Sequence, residues 1–455
     1  MTTYTAAAAA AAAAAPKPDW DPSSSSDEES PPSSSLMFDK ERHVAFLEMM
    51  YHMLPHHYQS QEINHLTLAY FVISGLDILG SLDRVDKDAV AAWVLSFQSN
   101  PGDKAELNSG QFYGFCGSRS SQFSSDNDGI LIHNHSHLAS TYCALSILKT
   151  VGYNLSSIDS KLISMSIRNL QQPDGSFLPI HIGAETDLRF IYCAAAICFM
   201  LEDWSGMDRE KTKEYIFKCQ SYDGGFGMIP GSESHGGGTY CAVASLSLMG
   251  FIEDDVLSKS AASSIIDIPL LLEWCLQRQA ADGGFQGRAN KPSDTCYAFW
   301  VGAVLRILGG SKLIDGTALR RFLLTCQSEY GGFSKFPNQL PDLYHSYYGY
   351  TALSLLEEPD LNALSAELGI TGKDATNDFE NVGHIDDARE MMEKYVIGEV
   401  DITTVPTKPL YVAPGLGGTN PEDEKPGFLI KILQLLVPLL ILGLALAVRT
   451  YTKKE

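Results

Sequence analysis

Hydrophobic and polar positions repeat along the middle of the chain, from about residue 41 to 370. Each unit has an amphipathic segment such as EYIFKCQ, a glycine-rich phrase, a loop, and a second segment such as IYCAAAICFML that is apolar all round. A helix with a polar side lies at the surface, whereas a helix that is apolar on every side is buried. The pattern therefore predicts helical hairpins whose second helices lie inside the domain.

The glycine-rich phrase marks the period of the repeat. It reads QQPDGSF, QSYDGGF, QAADGGF and QSEYGGF, starting at Gln171, Gln220, Gln279 and Gln327, with spacings of 49, 59 and 48 residues. One hairpin cannot bury its own apolar face, so such repeats stack on each other. An open helical solenoid would satisfy this, but the wholly apolar second helices favour closure into two concentric rings, an all-α barrel.

The segments on either side of the repeat have other compositions. Residues 1–36 hold an alanine run and a polar Pro/Ser-rich stretch, which is typical of disorder. Beyond the repeat come a polar segment at 373–400, a Pro/Gly-rich linker at 401–427 and the apolar run 428–448. That run is long enough to cross a bilayer and predicts a C-terminal transmembrane tail anchor; a buried core helix is the alternative.

Charge and cysteine content limit the classes of partner and the cellular compartment that the sequence is consistent with. The chain has 33 basic and 55 acidic residues, a net charge of -22, which disfavours nucleic-acid binding and favours basic peptide partners. It has nine cysteines and no secretory signal, which indicates reduced thiols in the cytoplasm.

Three metal-ligating residue types fall near the starts of predicted inner helices. In the repeat alignment, Gly238, Asp294 and His345 take equivalent positions, and ring closure would bring Asp294 and Cys296 to face His345. A carboxylate, a thiolate and an imidazole would leave Zn²⁺ one open position, as in catalytic zinc sites. The alternative for the DTC motif alone is a structural cysteine beside a helix-capping aspartate.

An anion site is predicted beside the metal. His235, Arg288, Lys291 and Tyr297 lie in neighbouring loops and could hold a diphosphate. The glycines at 236–238 would let an anion approach the backbone at a helix start. A solvated charged loop is the alternative.

These motifs resemble those of protein prenyltransferase β subunits. The resemblance covers residues 41–370 and rests on SGLDILG, FIYCAAAICFMLEDWSGMD, ESHGGGTYC, GRANKPSDTCYAFWVGA and YHSYYGYTALSLLEE. It implies an (α/α)₆ barrel that forms a heterodimer with a helical α subunit. It also implies one Zn²⁺ at Asp294, Cys296 and His345, and a diphosphate site at His235, Arg288, Lys291 and Tyr297.

Within that family, DTCYAFWVGA is most similar to the geranylgeranyl type I form. Thr67 stands where farnesyltransferases carry Trp, and Lys335 stands where the farnesyl enzyme has an Asp that helps to bind Mg²⁺. Arg189 resembles a residue near the bound peptide, whereas Tyr344 departs toward the farnesyl pattern. The resemblance implies zinc-dependent, Mg²⁺-independent transfer from geranylgeranyl diphosphate to C-a-a-X proteins such as small GTPases. A farnesyltransferase β subunit is the alternative.

The C-terminal segment, 373–455, resembles the second half of a plant-type cytochrome b5. KDATNDFENVGH carries one haem-ligand histidine, His384, but the HPGG motif of the other ligand is absent, so haem is not expected. A true fusion would anchor the chain at the endoplasmic reticulum with its catalytic domain in the cytoplasm. If the join is an assembly artefact, the enzyme ends near residue 370.

Three other functions are less consistent with the sequence. A terpene cyclase would need a D-x-D-D acid motif in the barrel, which the sequence does not contain. A non-catalytic membrane-tethered scaffold would have no use for the complete set of zinc ligands. A haem electron carrier would need both haem-ligand motifs.

Overall fold

The computed structural model describes residues 37–59, 61–101, 112–117, 136–181, 183–252 and 266–362. The segments interpreted above as disordered, cytochrome b5-like, linker and tail anchor lie outside these described residues. Within them, no helix combines the length and apolar character needed to span a membrane. Helices dominate the described chain, and its β-pairing consists of isolated bridges.

The helices alternate between an outer and an inner ring. In chain order they are α1 Lys40–His52, α2 His56–Gln59, α3 His65–Ile78, α4 Lys87–Leu95, α5 Leu138–Thr150, α6 Ser160–Leu170, α7 Leu188–Met200, α8 Arg209–Lys218, α9 Gly236–Leu248, α10 Ile268–Leu276, α11 Thr295–Ile307, α12 Gly316–Thr325 and α13 Leu343–Leu355. Helices α3, α5, α7, α9, α11 and α13 form the inner ring, and each packs against the next. Helix α13 then packs against α3, which closes the ring and excludes the open solenoid.

The burial of the two rings follows the hydrophobic pattern. In the inner helix α7, 11 of 13 residues are buried, whereas in the outer helix α8 only Thr212, Tyr215 and Ile216 are buried. The apolar second segments therefore lie inside, as the sequence predicts. The all-α barrel of helical hairpins is confirmed.

Each glycine-rich phrase needs a glycine at its tight turn. Gly283 has a φ of +90°, and a Cβ there would lie 2.4 Å from the carbonyl oxygen of Ala318 in the next outer helix. Gly331 has a φ of +84°, and its Cβ would lie 2.2 Å from the carbonyl oxygen of Arg42 in α1. The same close approach thus joins consecutive repeats and also joins the last repeat to the first.

The phrase also fixes where the next inner helix begins. In three repeats, the carbonyl of the phrase phenylalanine accepts the backbone N–H of the residue that caps the inner helix: Phe226 from His235 at 2.9 Å, Phe285 from Asp294 at 3.1 Å, and Phe333 from Asp342 at 3.2 Å. The true equivalents of Asp294 are therefore His235 and Asp342. The sequence alignment of Gly238, Asp294 and His345 was wrong, because Gly238 and His345 are the third residues of their helices.

Candidate metal and anion site

A buried cluster of three metal-ligating side chains lies where α11 and α13 begin. Asp294 caps α11, and its Oδ1 accepts the backbone N–H of Cys296 at 3.0 Å. His345 is the third residue of α13. One ligand atom from each of Asp294, Cys296 and His345 lies within 4.8 Å of the others, and the three residues are 6%, 4% and 1% exposed.

The ring of His345 lies between two carboxylates of this cluster. His345 Nε2 lies 3.3 Å from Asp294 Oδ1, and His345 Nδ1 lies 2.7 Å from Asp342 Oδ2. Burial lowers the pKa of His345, but the hydrogen bonds to the two carboxylates outweigh it and raise the pKa to about 9. The pKa of Asp294 is lowered by His345 despite burial. Near neutral pH the His345 ring is therefore protonated and pairs with the ionised Asp294.

The chemistry of the donors fits zinc. Burial, followed by the charge of Asp294, raises the pKa of Cys296 well above its usual value, so the cluster without a cation holds a thiol. A carboxylate, a thiol that can ionise and an imidazole are the ligand types of open, catalytic zinc sites. Lys335 places its Nζ 3.6 Å from Asp294 Oδ2 at the edge of this cluster.

Asp342 belongs to the site, although the sequence analysis did not identify it. Its Oδ1 caps α13 by accepting the backbone N–H of His345 at 2.8 Å, and its Oδ2 accepts from the His345 ring. Carboxylates of this kind fix the tautomer and orientation of metal-binding histidines. A signal was present, since Asp342 follows Phe333 by the same nine residues that separate Asp294 from Phe285.

The predicted anion residues divide into a partly buried pair at the starts of α9 and α11 and a second pair on the loop before α11. His235 caps α9, its Nδ1 accepts the backbone N–H of Gly237 at 3.0 Å, and its Nε2 lies 3.2 Å from the Tyr297 hydroxyl. Burial, aided by the charge of Arg288, lowers the pKa of His235 to about 4. The ring is therefore neutral, with its proton on Nε2, and both His235 and Tyr297 can present hydrogen-bond donors.

The second pair, the half-buried Arg288 and the exposed Lys291, lies on the loop before α11. Arg288 Nη1 lies 3.0 Å from Glu233 Oε2, and the exposed Lys291 donates its backbone N–H to the Arg288 carbonyl at 3.4 Å. Burial raises the pKa of Tyr297, so its hydroxyl keeps its proton. The structure thus brings His235 and Tyr297 together and holds Arg288 against a carboxylate, whereas the side chain of Lys291 faces solvent.

The ring encloses an aromatic cavity that the sequence analysis did not assign. It is lined by Tyr70, Tyr142, Tyr192, Tyr240, Phe299, Trp300, Tyr347 and Tyr348. Tyrosine hydroxyls form a chain across it, with distances of 2.6 Å from Tyr347 to Tyr70, 3.2 Å from Tyr70 to Tyr142 and 3.4 Å from Tyr142 to Tyr192. The recurrence of TYC and IYC in the inner helices was the available signal.

Two further predicted residues, Thr67 and Arg189, lie on the inner helices α3 and α7. Thr67 lies one turn before Tyr70 on α3, and its hydroxyl oxygen is 3.8 Å from the Cys143 sulfur. Arg189 forms an ion pair with the buried Asp187, the cap of α7, at 2.6 Å. Arg189 is the second residue of α7 and His235 caps α9, so both lie where neighbouring inner helices begin.

Comparison with known proteins agrees with this architecture. Residues 38–385 match the model of the prenyltransferase alpha-alpha toroid domain. The chain is 70% identical over 336 residues to the geranylgeranyl transferase type-1 subunit beta of Arabidopsis thaliana, covering 74% of this chain and 90% of the relative. It is 37% identical to the Dictyostelium discoideum subunit of the same name, covering 75% and 97%.

A solved structure supports the fold. The Candida albicans protein geranylgeranyltransferase-I complexed with GGPP has a TM-score of 0.62 and 24% sequence identity, with 76% of this chain and 100% of that chain covered. At this identity the likeness concerns the fold alone. On the family match and the relatives together, this chain belongs to the prenyltransferase alpha-alpha toroid family.

Proposed function

We infer that this chain is the β subunit of a type I protein geranylgeranyltransferase, an enzyme that transfers a geranylgeranyl group to the cysteine of C-a-a-X proteins. The observation that carries this inference is the 70% identity to a subunit of that name over 90% of its length. The closed ring, the aromatic cavity and the buried Asp-Cys-His cluster provide the apolar pocket and polar site that such a reaction requires. Catalysis would require an α subunit, with which the chain forms a heterodimer.

The buried cluster is proposed to hold one Zn²⁺ per subunit through Asp294, Cys296 and His345. When bound, zinc would lower the pKa of the substrate thiol so that it reacts as a thiolate near neutral pH. Asp342 keeps the proton of the His345 ring on Nδ1, which leaves Nε2 facing Asp294 and Cys296. The buried surroundings exclude water from these ligands.

The anion residues are proposed to hold the diphosphate of geranylgeranyl diphosphate. The substrate sulfur forms a bond to C1 as the C1–O bond breaks, and the electron pair leaves on diphosphate. Donors from His235 and Tyr297, with the charges of Arg288 and Lys291, would stabilise that leaving group. Lys335 lies on the adjoining side, next to Asp294, and would supply a positive charge that makes Mg²⁺ unnecessary. Arg189 is proposed to contact the peptide.

The length of the isoprenoid is proposed to be set near Thr67. This small residue lies one turn above the cavity residue Tyr70, and a Trp there would fill the adjoining space. Thr67→Trp should therefore shift preference from geranylgeranyl to farnesyl diphosphate. Unchanged preference in a direct competition between the two donors would contradict this role.

The chain beyond the toroid carries a separate proposal. KDATNDFENVGH and the apolar run at 428–448 support a partial cytochrome b5 segment followed by a tail anchor at the endoplasmic reticulum. Full-length transcript reads across codons 365–380 would test the join. Reads that never span it would remove the anchor and leave the toroid chemistry unaffected.

The function itself is tested by co-expressing the chain with a prenyltransferase α subunit. Equal concentrations of the two labelled donors, geranylgeranyl and farnesyl diphosphate, are offered with peptides ending in Leu or Met. We expect a geranylgeranyl thioether, formed faster on the Leu peptide. Preferential farnesyl transfer would instead favour a farnesyltransferase β subunit, and no transfer with any pair would favour a non-catalytic scaffold.

A further inference from the structure

The ring closes where the last repeat meets α1, a junction that we call the seam. The contact made there is the same as the one that joins consecutive repeats within the ring. Gln327 Oε1, in the last glycine-rich phrase, lies 3.3 Å from the backbone N–H of Asp39, the cap of α1, which it accepts. Within the ring, Gln279 Oε1 accepts the N–H of Asp315, the cap of α12, at 3.0 Å. The seam therefore repeats an internal joint between residues 288 positions apart.

Gln171, Gln279 and Gln327 each accept the backbone N–H of a capping aspartate in this way, and only the joint of Gln327, at the seam, contains a histidine. The fourth residue after the capping aspartate is buried in each, and it is Thr212 in α8, Leu319 in α12 and His43 in α1. His43 is fully buried, with 0% exposure. A polar aromatic side chain placed where a threonine or leucine suffices elsewhere points to a specific role.

Every side of the His43 ring is in contact. Gly332 donates its backbone N–H to Nδ1 at 2.9 Å, and Nε2 lies 3.0 Å from Gln327 Oε1. Phe38 and Phe333 each stack on the imidazole ring, with centroid distances of 4.8 Å. Because a backbone N–H donates to Nδ1, the ring proton lies on Nε2 and the histidine is neutral.

The charged and titratable neighbours do not favour a second proton. Asp39 and Arg42 on α1 act on His43 with opposite signs, Arg42 Nη1 donates to the Glu329 carbonyl at 3.4 Å, and the Tyr350 hydroxyl lies 3.3 Å from Nδ1. Burial is the larger effect and lowers the pKa of His43 to about 4. A protonated Nδ1 would also place a donor against the N–H of Gly332.

The last glycine-rich phrase, which His43 contacts at Gly332, is connected by hydrogen bonds to the Asp294, Cys296 and His345 cluster. Gly332 is followed by Phe333, whose carbonyl accepts the N–H of Asp342 at 3.2 Å, and Asp342 in turn holds the His345 ring at 2.7 Å. Two residues further on, the carbonyl of Lys335 accepts the N–H of Thr295, the first residue of α11, at 3.2 Å. Movement of the phrase would therefore reach the ligands on both inner helices.

We propose that His43 is a positioning residue for the metal site, because its neutral ring clamps the last glycine-rich phrase and thereby sets Asp342 and His345. This inference rests on the zinc function proposed above. The seam contains none of the proposed zinc ligands, and on this inference it helps to set their positions. The seam would then couple closure of the toroid to metal affinity.

The test compares two changes at the seam with one at an internal joint. His43→Phe keeps the stack with Phe38 and Phe333 but removes every hydrogen bond of the ring nitrogens. His43→Gln keeps a donor and an acceptor but removes the stack. Thr212→Val is the matched control, since Thr212 bonds Gln171 at 3.0 Å in a joint away from the cluster. Zinc affinity is measured on the heterodimer by chelator competition, together with the midpoint of thermal unfolding.

We expect both His43 variants to lose about tenfold or more in zinc affinity, as loss of an outer partner of a ligand does. Thr212→Val should lower the unfolding midpoint while zinc affinity stays within about twofold. Zinc affinity of the His43 variants within that same range, or an equal loss in Thr212→Val, would overturn the inference. If His43→Phe does not assemble, His43→Gln decides. A wild-type heterodimer that binds no zinc would refute the metal site itself, and the inference with it.

Discussion

At the scale of single residues, two helix caps supply the chemistry of the cluster. Asp294 and Asp342 each use one carboxylate oxygen to accept a backbone N–H in the first turn of the inner helix that follows. The other oxygen of Asp342 and the carboxylate of Asp294 both face His345. On the proposed zinc site, a capping aspartate would be a metal ligand in one repeat and the support of a ligand in the next.

Asp342→Asn should weaken zinc binding about 10- to 100-fold, as for other supports of metal-binding histidines. The amide can still cap α13, because Asn and Asp cap helices about equally well, but its NH₂ group cannot accept the His345 ring proton. Chelator competition on the heterodimer measures the effect. Asp315→Asn, at the cap of α12, is the matched control and should leave zinc affinity unchanged; equal losses in both variants would contradict the assignment.

Lys335→Asp should create a requirement for Mg²⁺. The change replaces the ammonium 3.6 Å from Asp294 by a second carboxylate, which would repel a diphosphate unless a cation intervened. Transfer by the variant should rise at least about tenfold with millimolar Mg²⁺, roughly the 1.4 kcal/mol of one charged contact. Transfer by the unchanged chain should respond little; a strong Mg²⁺ requirement there would argue against the role of Lys335.

At the scale of elements, the loop before α11 and the start of that helix fit together only because Gly287 lacks a side chain. A Cβ at Gly287 would lie 2.0 Å from the Tyr297 ring, and the Gly287 carbonyl accepts the N–H of Gly236, the first residue of α9, at 2.8 Å. His235 and Tyr297, two of the predicted anion residues, are therefore held in place by one close backbone approach.

Gly287→Ala should displace the Tyr297 ring and break its contact with His235. The expected result is about a tenfold loss of affinity for inorganic diphosphate, the size of one hydrogen bond to a charged group, with helix content unchanged. Gly302→Ala, in the helix that carries Tyr297, is the control because its Cβ would meet its nearest atom at an ordinary 3.8 Å. Unchanged diphosphate affinity in Gly287→Ala would remove Tyr297 from the anion site.

The sequence pattern predicted these elements better than it predicted their exact starts. Whether a segment lies inside or outside follows from its hydrophobic side chains, so the barrel and its two rings could be predicted. The starts of α9, α11 and α13 are each fixed by a backbone hydrogen bond to the phenylalanine of the preceding glycine-rich phrase, which hydrophobicity does not record. For this reason Gly238 and His345 were aligned with Asp294, and Asp342 was overlooked.

At the scale of the whole molecule, a closed ring holds several histidines neutral in its interior. Burial lowers the pKa of His43, His137 and His235 to about 4 in each case. The unfolded chain would bind protons at these sites near pH 6.5. Between pH 4 and 6.5 the unfolded state therefore carries more protons than the folded state, and stability is lost as the pH falls through this window.

Acid should therefore lower the free energy of unfolding, and the lowered pKa of His43 contributes part of that loss. With a folded pKa of about 4, His43 alone would cost about 2 kcal/mol of unfolding free energy at pH 5 relative to pH 7.5. His43→Gln should reduce the difference between the two pH values by roughly that amount. Denaturant unfolding of the heterodimer at both pH values measures it; an unchanged difference would mean that His43 does not titrate in this window.

We propose that the buried Asp294, Cys296 and His345 cluster binds the zinc ion on which geranylgeranyl transfer by this subunit depends. The most direct test titrates Zn²⁺ into the metal-free heterodimer and follows bound metal and geranylgeranyl thioether formation in the same samples. The account predicts that transfer rises in proportion to bound zinc, reaches a plateau at one ion per β subunit, and is absent with Cys296→Ala. Full transfer by the metal-free heterodimer, or one zinc retained in Cys296→Ala, would contradict it.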